Sequence, residues 1–404
     1  MLVALGAALL LTSPAELRSR SAPVHEGWEL ASSASLGGAG GTQISSGAAG
    51  HGNWTKLASF PATVLAGLTE AGEYPELFYG QNLKAVQTAR FDVPWWYRTS
   101  LPAVAMDAAK SGGLTLLTFE GLNYRANIWV NGKLLATKGS IAGAYRYFDV
   151  DISAALATGA GATVAVEVFR SYDWGVDCQQ EHGNDTPPMN LQVSCRGRNK
   201  SASQDLGITW VDWAPAPHDA NLGLWRDVLL TTVPAGLPPV TVRYPGLETA
   251  LSKDNTAAHV AITAEVTNWG TATLSGSVHA ALGALGSAEW AAAHLPGTSP
   301  GKPGSHVQAV LNISLAGLSP AKDLWWPWQM GAPNRHNLTM SFAEARAARL
   351  REPRLQVSTT VPVGLRSASN VLDGNHNAIF RVNGKRILIR GGGYAPDLLL
   401  RMTQ

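Results

Sequence analysis

The chain has 404 residues, of which 45% are hydrophobic and 15% are charged, and its formal net charge is +2. This length is sufficient for two or three domains with separate cores. Lysine and arginine are not concentrated on any one element, so the sequence predicts no nucleic-acid partner. The 42 glycines, 23 prolines and 14 tryptophans favour a turn-rich, mainly β protein over a helical one.

The N-terminus carries a short apolar run. Residues 2–11 are almost wholly apolar, and Arg18 and Arg20 follow soon after. A run of this length is typical of a secretory signal peptide and is too short to span a bilayer. No lysine or arginine precedes it, so a weak anchor and a misassigned start remain alternatives. We expect residues 1–22 to be a signal peptide, no other membrane segment, and a secreted or lysosome-like location.

Acceptor patterns for N-glycosylation agree with a secretory route. The pattern Asn-x-Ser/Thr recurs along the chain, although each single match is weak because chance supplies several in a chain this long. Pro187 follows the match at Asn184 directly, which disfavours its use. The predicted glycosylation sites are Asn53, Asn199, Asn312 and Asn337.

The chain has two cysteines, Cys178 and Cys195. In an oxidising compartment a bond between them would close a short loop and stabilise the fold by about 3 kcal/mol. His182 lies between them, but a structural zinc site needs four ligands at tighter spacing. We therefore expect a disulfide, with two free thiols as the alternative, and no metal or other cofactor.

The first half of the chain alternates between strands and turns. Residues 23–52 are rich in glycine, serine and alanine and predict an irregular lead-in. Asn131-Gly132 separates two alternating apolar runs, which is a strong β-hairpin signal because both turn residues need positive φ. Residues 53–236 therefore predict a β-sandwich or jelly roll. Its expected strands are residues 94–99, 114–120, 127–130, 133–136, 145–150, 163–169 and 227–233.

A second β-domain is expected after Pro238-Pro239, a dipeptide that marks a boundary. Six or seven short strands over about 120 residues are typical of an immunoglobulin-like sandwich, which we place at residues 237–365. From residue 366 the pattern changes again. Asn383-Gly384 predicts another hairpin, with strands at residues 379–382 and 385–390, and three glycines follow.

The most unusual stretch is residues 208–227, which holds three tryptophans and three aspartates. Pro215 and Pro217 fix φ and remove backbone donors, so the sequence predicts an extended loop. An indole face can stack on the apolar face of a sugar, and carboxylates accept its hydroxyl hydrogens. Asp212 and Trp213 are the candidate substrate-binding residues. For Trp210 and Trp225 we favour a structural role in a core.

Several motifs resemble glycoside hydrolase family 2, and specifically its exo-β-D-glucosaminidases, with β-mannosidases as more distant relatives. The resemblance extends over roughly residues 53–404. It rests on FDVPWWYRT at 91–99, NYRANIWVNG at 123–132, the loop at 211–227, WWPWQMG at 325–331 and LIRGGGYAPDLLLR at 388–401.

The resemblance implies a galactose-binding-like jelly roll, then an immunoglobulin-like sandwich, then a (β/α)8 barrel. Residues 366–404 match only the entry to that barrel. Retaining glycosidases need two carboxyl groups about 5–5.5 Å apart, and in this family both lie beyond the point that matches Gln404. We therefore assign no catalytic residue, since the loop pairs Asp212 with Asp219 and Asp173 with Asp177 are poor substitutes.

Two functional hypotheses remain at this point. The chain is either the non-catalytic N-terminal portion of a glycosidase that acts on β-linked glucosaminides or mannosides, or a stand-alone carbohydrate-binding protein. In both cases the expected partner is a chitosan-type or mannoside oligosaccharide. The apolar hairpin near residue 383 favours the first hypothesis, because no domain in the chain remains to cover it.

Overall fold

A computed structural model describes residues 19–46, 52–159, 161–170, 217–299, 303–345, 356–394 and 397–401. The chain divides into two compact units. The first unit contains the described residues of Arg20–Thr232 and of the tail from residue 392 onwards, and the second contains Val233–Gly391. The described residues include no helix long and apolar enough to cross a bilayer.

The first unit is a β-sandwich with short helices in its connections. Its strands are β1 (Arg20–Pro23), β2 (Glu29–Ser32), β3 (Thr55–Lys56), β4 (Ala62–Thr63), β5 (Trp95–Ser100), β6 (Leu114–Phe119), β7 (Leu122–Asn123), β8 (Arg125–Val130), β9 (Lys133–Ala136), β10 (Phe148–Asp151), β11 (Thr163–Phe169), β12 (Gly223–Leu224) and β13 (Val228–Val233). Its helices are α1 (Gly41–Ile44), α2 (Val64–Glu70), α3 (Asn82–Ala85), α4 (Ala103–Lys110) and α5 (Ser153–Ala157), with 3-10 turns at Ser33–Ser35 and Thr88–Phe91.

Two main sheets enclose the core of the first unit. The larger has the order β3-β2-β5-β11-β8-β9, the smaller has the order β1-β13-β6-β10, and β4-β12-β7 form a third short sheet. In the larger sheet Val166 of β11 pairs with Tyr97 on one side and Ile128 on the other, and all three are fully buried. Along β8, buried and partly exposed residues alternate, which is the period-2 pattern predicted for this strand.

The predicted hairpin at Asn131-Gly132 is confirmed. It joins β8 to β9, with φ of 48° at Asn131 and 82° at Gly132. The Asn131 side chain also donates to the carbonyl oxygens of Ala155 and Gly161. The turn therefore satisfies both its local backbone requirement and polar groups of the neighbouring connection.

The prediction of an irregular lead-in over residues 23–52 is wrong for its described part. β2 pairs with β5 inside the larger sheet, and Trp28 and Leu30 lie in the core. The small residues have a packing role, because Gly41 lies directly on the indole of Trp129 and an added Cβ would come within 2.2 Å of that ring. Residues 20–22, which we had assigned to the signal peptide, lie in β1 and pair with β13.

The second unit is also a sandwich, which confirms the prediction of two β-domains. Seven of its strands form sheets of order β14-β15-β18 and β17-β16-β19-β20, and the remaining three form the sheet β21-β22-β23. The strands are β14 (Val240–Leu251), β15 (Ala257–Asn268), β16 (Leu274–Leu282), β17 (Gly286–Leu295), β18 (Ser305–Ala316), β19 (His336–Glu344), β20 (Gln356–Val363), β21 (Ala368–Leu372), β22 (Ala378–Val382) and β23 (Lys385–Arg386).

The second hairpin is confirmed, with φ of 49° at Asn383 and 78° at Gly384. Its described residues belong to the second unit and do not begin a separate body at residue 366 as we had placed it. Asn383 is only 2% exposed, and its side chain donates to the carbonyl oxygen of Trp325 at 3.0 Å. The hairpin strand after the turn is shorter than predicted and ends at Arg386.

Candidate functional site

The described end of the tryptophan- and aspartate-rich loop begins at Pro217 and leads through β12 into β13. Asp212, Trp213, Cys178, Cys195 and Asn199 lie outside the described residues. The foot of the loop, defined here as residues 217–226, shows how the first unit holds this stretch.

Asp219 is the anchor of the loop foot. It is completely buried, and its carboxylate accepts hydrogen bonds from the backbone N–H of Leu65 at 2.8 Å and of Asn221 at 3.0 Å. Leu65 lies in the first turn of α2, so Asp219 ties the loop to that helix. Burial raises the pKa of Asp219 to about 6, although both hydrogen bonds and the positive charge of Arg170 act in the opposite direction.

A close backbone approach fixes the chain just after this anchor. Gly223 has φ of 135°, and an added Cβ would lie 2.2 Å from the hydroxyl oxygen of Tyr97. That hydroxyl donates to the carbonyl oxygen of Ala62 at 2.9 Å. Burial, together with the nearby charge of Asp219, raises the pKa of Tyr97 well above its ordinary value. Only glycine fits at position 223 without displacing this buried tyrosine.

Asn123 holds the loop foot from β7. Its amide group donates to the carbonyl oxygens of Ala220 and Asn221 at 2.9 and 3.0 Å. Both acceptors have positive φ, 52° in each case. The peptide bond from Asn123 to Tyr124 is cis. The buried side chain of Asn123 thus supplies hydrogen bonds to two carbonyl groups of a turn whose backbone is not paired with a strand.

Arg170 closes the other side of the foot. Its guanidinium forms an ion pair with Asp92 and donates to the carbonyl oxygen of His218 at 3.2 Å. Burial lowers the pKa of His218. Nε of Arg170 and Nδ1 of His218 are both buried without a hydrogen-bond partner among the described residues. These two nitrogen atoms could therefore form further hydrogen bonds beyond those in the described contacts.

Aromatic side chains lie at the surface beside the foot. Tyr145 meets Trp225 edge-on with ring centroids 5.7 Å apart, and Trp225 donates from its indole nitrogen to the carbonyl oxygen of Ala144 at 3.0 Å. The guanidinium of Arg226 lies 5.9 Å from the ring centroid of Tyr147. Tyr145 is 62% exposed. Trp225 is half-buried and its indole nitrogen is bonded within the protein, which is close to the structural role in a core that we expected. Tyr145 and Tyr147 remain accessible to solvent.

The C-terminal tail completes the foot. Leu399 lies in the main core of the first unit and Leu400 packs with Trp225. The side chain of Asn221 donates to the carbonyl oxygen of Leu398 at 2.8 Å. Sequence reasoning missed these contacts. The run of three leucines at 398–400 was the available signal, but a short apolar run does not identify its partner.

The loop foot is suited to holding a binding surface and not to acid–base catalysis. Both carboxylate oxygens of Asp219 are engaged by backbone donors inside the core, so this residue cannot serve as the partner of Asp212 that we had considered. The described residues contain no cluster of three or more potential metal ligands.

A separate groove of about 710 Å³ in the first unit is a poor match to a sugar site. It lies along β1, and an aromatic stacking surface is lacking among its lining residues, which are Arg20, Ala22, Pro23, Val24, His25, Glu26, Ser100, Pro102, Val104, Leu230 and Thr232. The loop foot, with its adjacent tyrosines, is therefore the better candidate.

Comparison with known proteins agrees with this architecture. Residues 39–226 match the family described as glycosyl hydrolase 2 galactose-binding domain-like. The exo-β-D-glucosaminidase of Amycolatopsis orientalis is 30% identical over 350 residues, which is 85% of this chain and 28% of that protein. The exo-β-D-glucosaminidase of Streptomyces avermitilis is 28% identical over 349 residues, 84% of this chain and 32% of that protein.

A solved structure is similar over both units. The crystal structure of the Amycolatopsis orientalis exo-chitosanase CsxA matches with a TM-score of 0.71 and 27% identity, covering 95% of this chain and 38% of that one. The first unit is thus a galactose-binding-like sandwich domain. Its residues 39–226 match the model of such domains in glycosyl hydrolase family 2, and the chain is homologous to the N-terminal portion of family 2 glucosaminidases and mannosidases. It spans about a third of the length of these relatives.

Proposed function

We propose that the chain is the non-catalytic, substrate-contacting portion of a glycoside hydrolase that releases sugars from β-linked glucosaminides. Asp212 and Trp213 bind the sugar in this proposal, and the two catalytic carboxyl groups come from a (β/α)8 barrel. The observation that carries it is the loop foot. The backbone a few residues after the two candidate side chains is fixed by the contacts of Asp219, Asn123 and Gly223. In this proposal, that anchor reduces the conformational entropy that the loop loses when it binds a sugar.

The choice of sugar rests on the relatives. Those with the highest identity are named exo-β-D-glucosaminidases, whereas a mannosylglycoprotein endo-β-mannosidase from Lilium longiflorum is 25% identical. A glucosaminide is therefore the proposed substrate and a mannoside the second choice. The amino group of glucosamine is cationic near neutral pH, and the carboxylate of Asp212 would complement it.

Binding and turnover by the full chain test this proposal. Calorimetric titration uses glucosamine oligomers and mannose oligomers, and hydrolysis is followed with a chromogenic β-glucosaminide. We expect no turnover, and weak binding that Asp212→Asn and Trp213→Ala each reduce by about five- to tenfold, equivalent to about 1 kcal/mol. Trp328→Ala is the matched control, because Trp328 is 81% exposed in the second unit and should leave binding unchanged.

Two results would overturn the proposal. Turnover that Asp212→Asn abolishes would place catalysis in this chain. Binding that neither loop variant alters would move the sugar site elsewhere. The second candidate function, a stand-alone carbohydrate-binding protein, is favoured by the exposed Tyr145 and Tyr147 beside the loop foot. It predicts micromolar or tighter binding without any added domain.

Secretion is part of the same proposal. The apolar N-terminus supports it, as do the solvent-exposed positions of the candidate acceptors Asn53, Asn312 and Asn337. Expression of the chain in a secreting eukaryotic host, followed by peptide mapping with and without N-glycosidase, should reveal glycans at these residues and a bond between Cys178 and Cys195. Intracellular retention of an unmodified chain would contradict it.

A further inference from the structure

A cleft in the second unit has the character of an anion site. It has a volume of about 400 Å³ and is lined by Leu247, Trp325, Arg335, Pro362, Val363, Gly364 and Arg366. Two guanidinium groups lie at its edge, and no carboxylate is among its lining residues. The lining residues therefore carry a formal charge of +2.

The floor of the cleft is built around Trp325. The backbone N–H of Trp325 donates to the carbonyl oxygen of Leu365 at 2.8 Å, and its own carbonyl oxygen accepts from the buried Asn383. An added Cβ at Gly364 would come within 2.9 Å of the Trp325 side chain. The Trp325 side chain therefore packs closely against the backbone of residue 364.

Arg366 is held in place by this indole. Its guanidinium carbon lies 4.5 Å from the Trp325 ring centroid, within the range of a cation–π interaction. A stacked guanidinium keeps its in-plane N–H groups available, and these match the two oxygens of a carboxylate or phosphate. Stacking thus removes part of the rotational freedom that a surface arginine would lose on binding a ligand.

Arg335 faces the same cleft from a fixed segment. On one side Asn334 donates to the carbonyl oxygen of Leu324 at 3.0 Å, and on the other the His336 ring contacts the carbonyl oxygen of Asp323 at 2.7 Å. Within the described part of the chain, neither Arg335 nor Arg366 forms an ion pair with a carboxylate. Both charges are available to a ligand.

We propose that this cleft binds a small oxyanion, a carboxylate or a phosphate group, carried on a compact ring such as that of a sugar acid or sugar phosphate. The two guanidinium groups bind the oxyanion, and the ring rests on the apolar surface of Leu247 and Val363. The ligand of this cleft differs from the proposed glucosaminide, because a cationic sugar would be repelled by the two arginines.

Titration calorimetry of the full chain with four small molecules tests the site. Glucuronate and glucose 6-phosphate represent the two oxyanion sources, inorganic phosphate tests for binding without a ring, and glucosamine is the cationic control. We expect millimolar or tighter binding of at least one ring-borne oxyanion, no binding of glucosamine, and affinity that falls with added sodium chloride. Comparison of the first two ligands identifies the preferred oxyanion.

Variants separate a built site from general charge attraction. Arg366→Gln and Arg335→Gln should each weaken binding by tenfold or more. Arg366→Lys should also lose several-fold, because it retains the charge but not the planar fork. Lys253→Gln removes one exposed charge from the same unit and should have no effect. Unchanged near-ultraviolet circular dichroism establishes that each variant is folded.

Three outcomes would overturn the proposal. They are the absence of binding by every oxyanion at 10 mM or about that concentration, an equal loss in Lys253→Gln and Arg366→Gln, and full retention of affinity in Arg366→Lys. The last two would mean that the observed binding reflects net charge and not this cleft.

Discussion

Replacement of Asp219 by asparagine should remove a pH dependence from the stability of the first unit. Asp219 is fully buried, and its pKa is raised from 3.8 to about 6 in the folded protein. The folded state thus holds the Asp219 proton more tightly than the unfolded state does. Stability is therefore greatest at low pH with respect to this group, falls as the pH rises from about 3.8 to about 6, and is constant above.

The size of the effect follows from the shift. A change of about 2 pKa units corresponds to about 3 kcal/mol in the free energy of unfolding. An asparagine side chain cannot ionise, so the Asp219→Asn variant lacks this decline. It also offers one carbonyl oxygen where the carboxylate accepts two backbone hydrogen bonds. The variant should consequently be less stable by about 1–3 kcal/mol at low pH, where this loss is not offset.

The assay is urea denaturation of the full chain at several values between pH 4 and pH 7. The quantity of interest is the free-energy difference between Asp219→Asn and the native protein, because other carboxylates such as Asp397 have lowered pKa values and act in the opposite direction. That difference should shift by about 2–3 kcal/mol in favour of the variant across this range. The exposed Asp107→Asn is the control. Parallel curves for native protein and Asp219→Asn would refute the reasoning.

Three further substitutions probe the packing around the site. Leu399→Ala should cost about 2–5 kcal/mol of first-unit stability, measured by thermal unfolding, whereas Leu388→Ala, 72% exposed, should cost almost nothing; equal effects would show that the tail does not enter the core. Gly223→Ala should destabilise by more than 2 kcal/mol or so, and Tyr97→Phe should recover part of that loss in the double variant, since it removes the oxygen that the new methyl group meets. Gly41→Ala should lower the melting temperature and change the fluorescence of Trp129, because the new methyl group would meet its indole. Unaltered emission would argue against the contact between Gly41 and Trp129.

The elements that the sequence predicted well are those whose requirements are local. Asn131-Gly132 and Asn383-Gly384 form the expected turns because both residues of each pair must adopt positive φ. β11 has the predicted bounds, since it carries valines at alternate positions. The sugar-binding roles of Asp212 and Trp213 remain predictions.

The elements that the sequence did not predict depend on distant partners. β17 contains three consecutive alanines, which are poor strand formers, and becomes a strand through its pairing with β16. Asp219 lies in a loop whose composition indicates exposure, yet its partner Leu65 is 154 residues away. The cleft at Arg335 and Arg366 likewise joins side chains that are far apart in sequence and share no motif.

The return of residues 397–401 to the first unit has a consequence for biosynthesis. Leu399 fills a place in a core whose other members all precede residue 231. During translation the core of the first unit therefore stays incomplete until the ribosome has synthesised the whole second unit and reached Leu399. Any gene fragment cut at the apparent boundary near residue 232 would encode a domain without the buried Leu399 and Leu400, and would yield a looser and more protease-sensitive product than the intact chain.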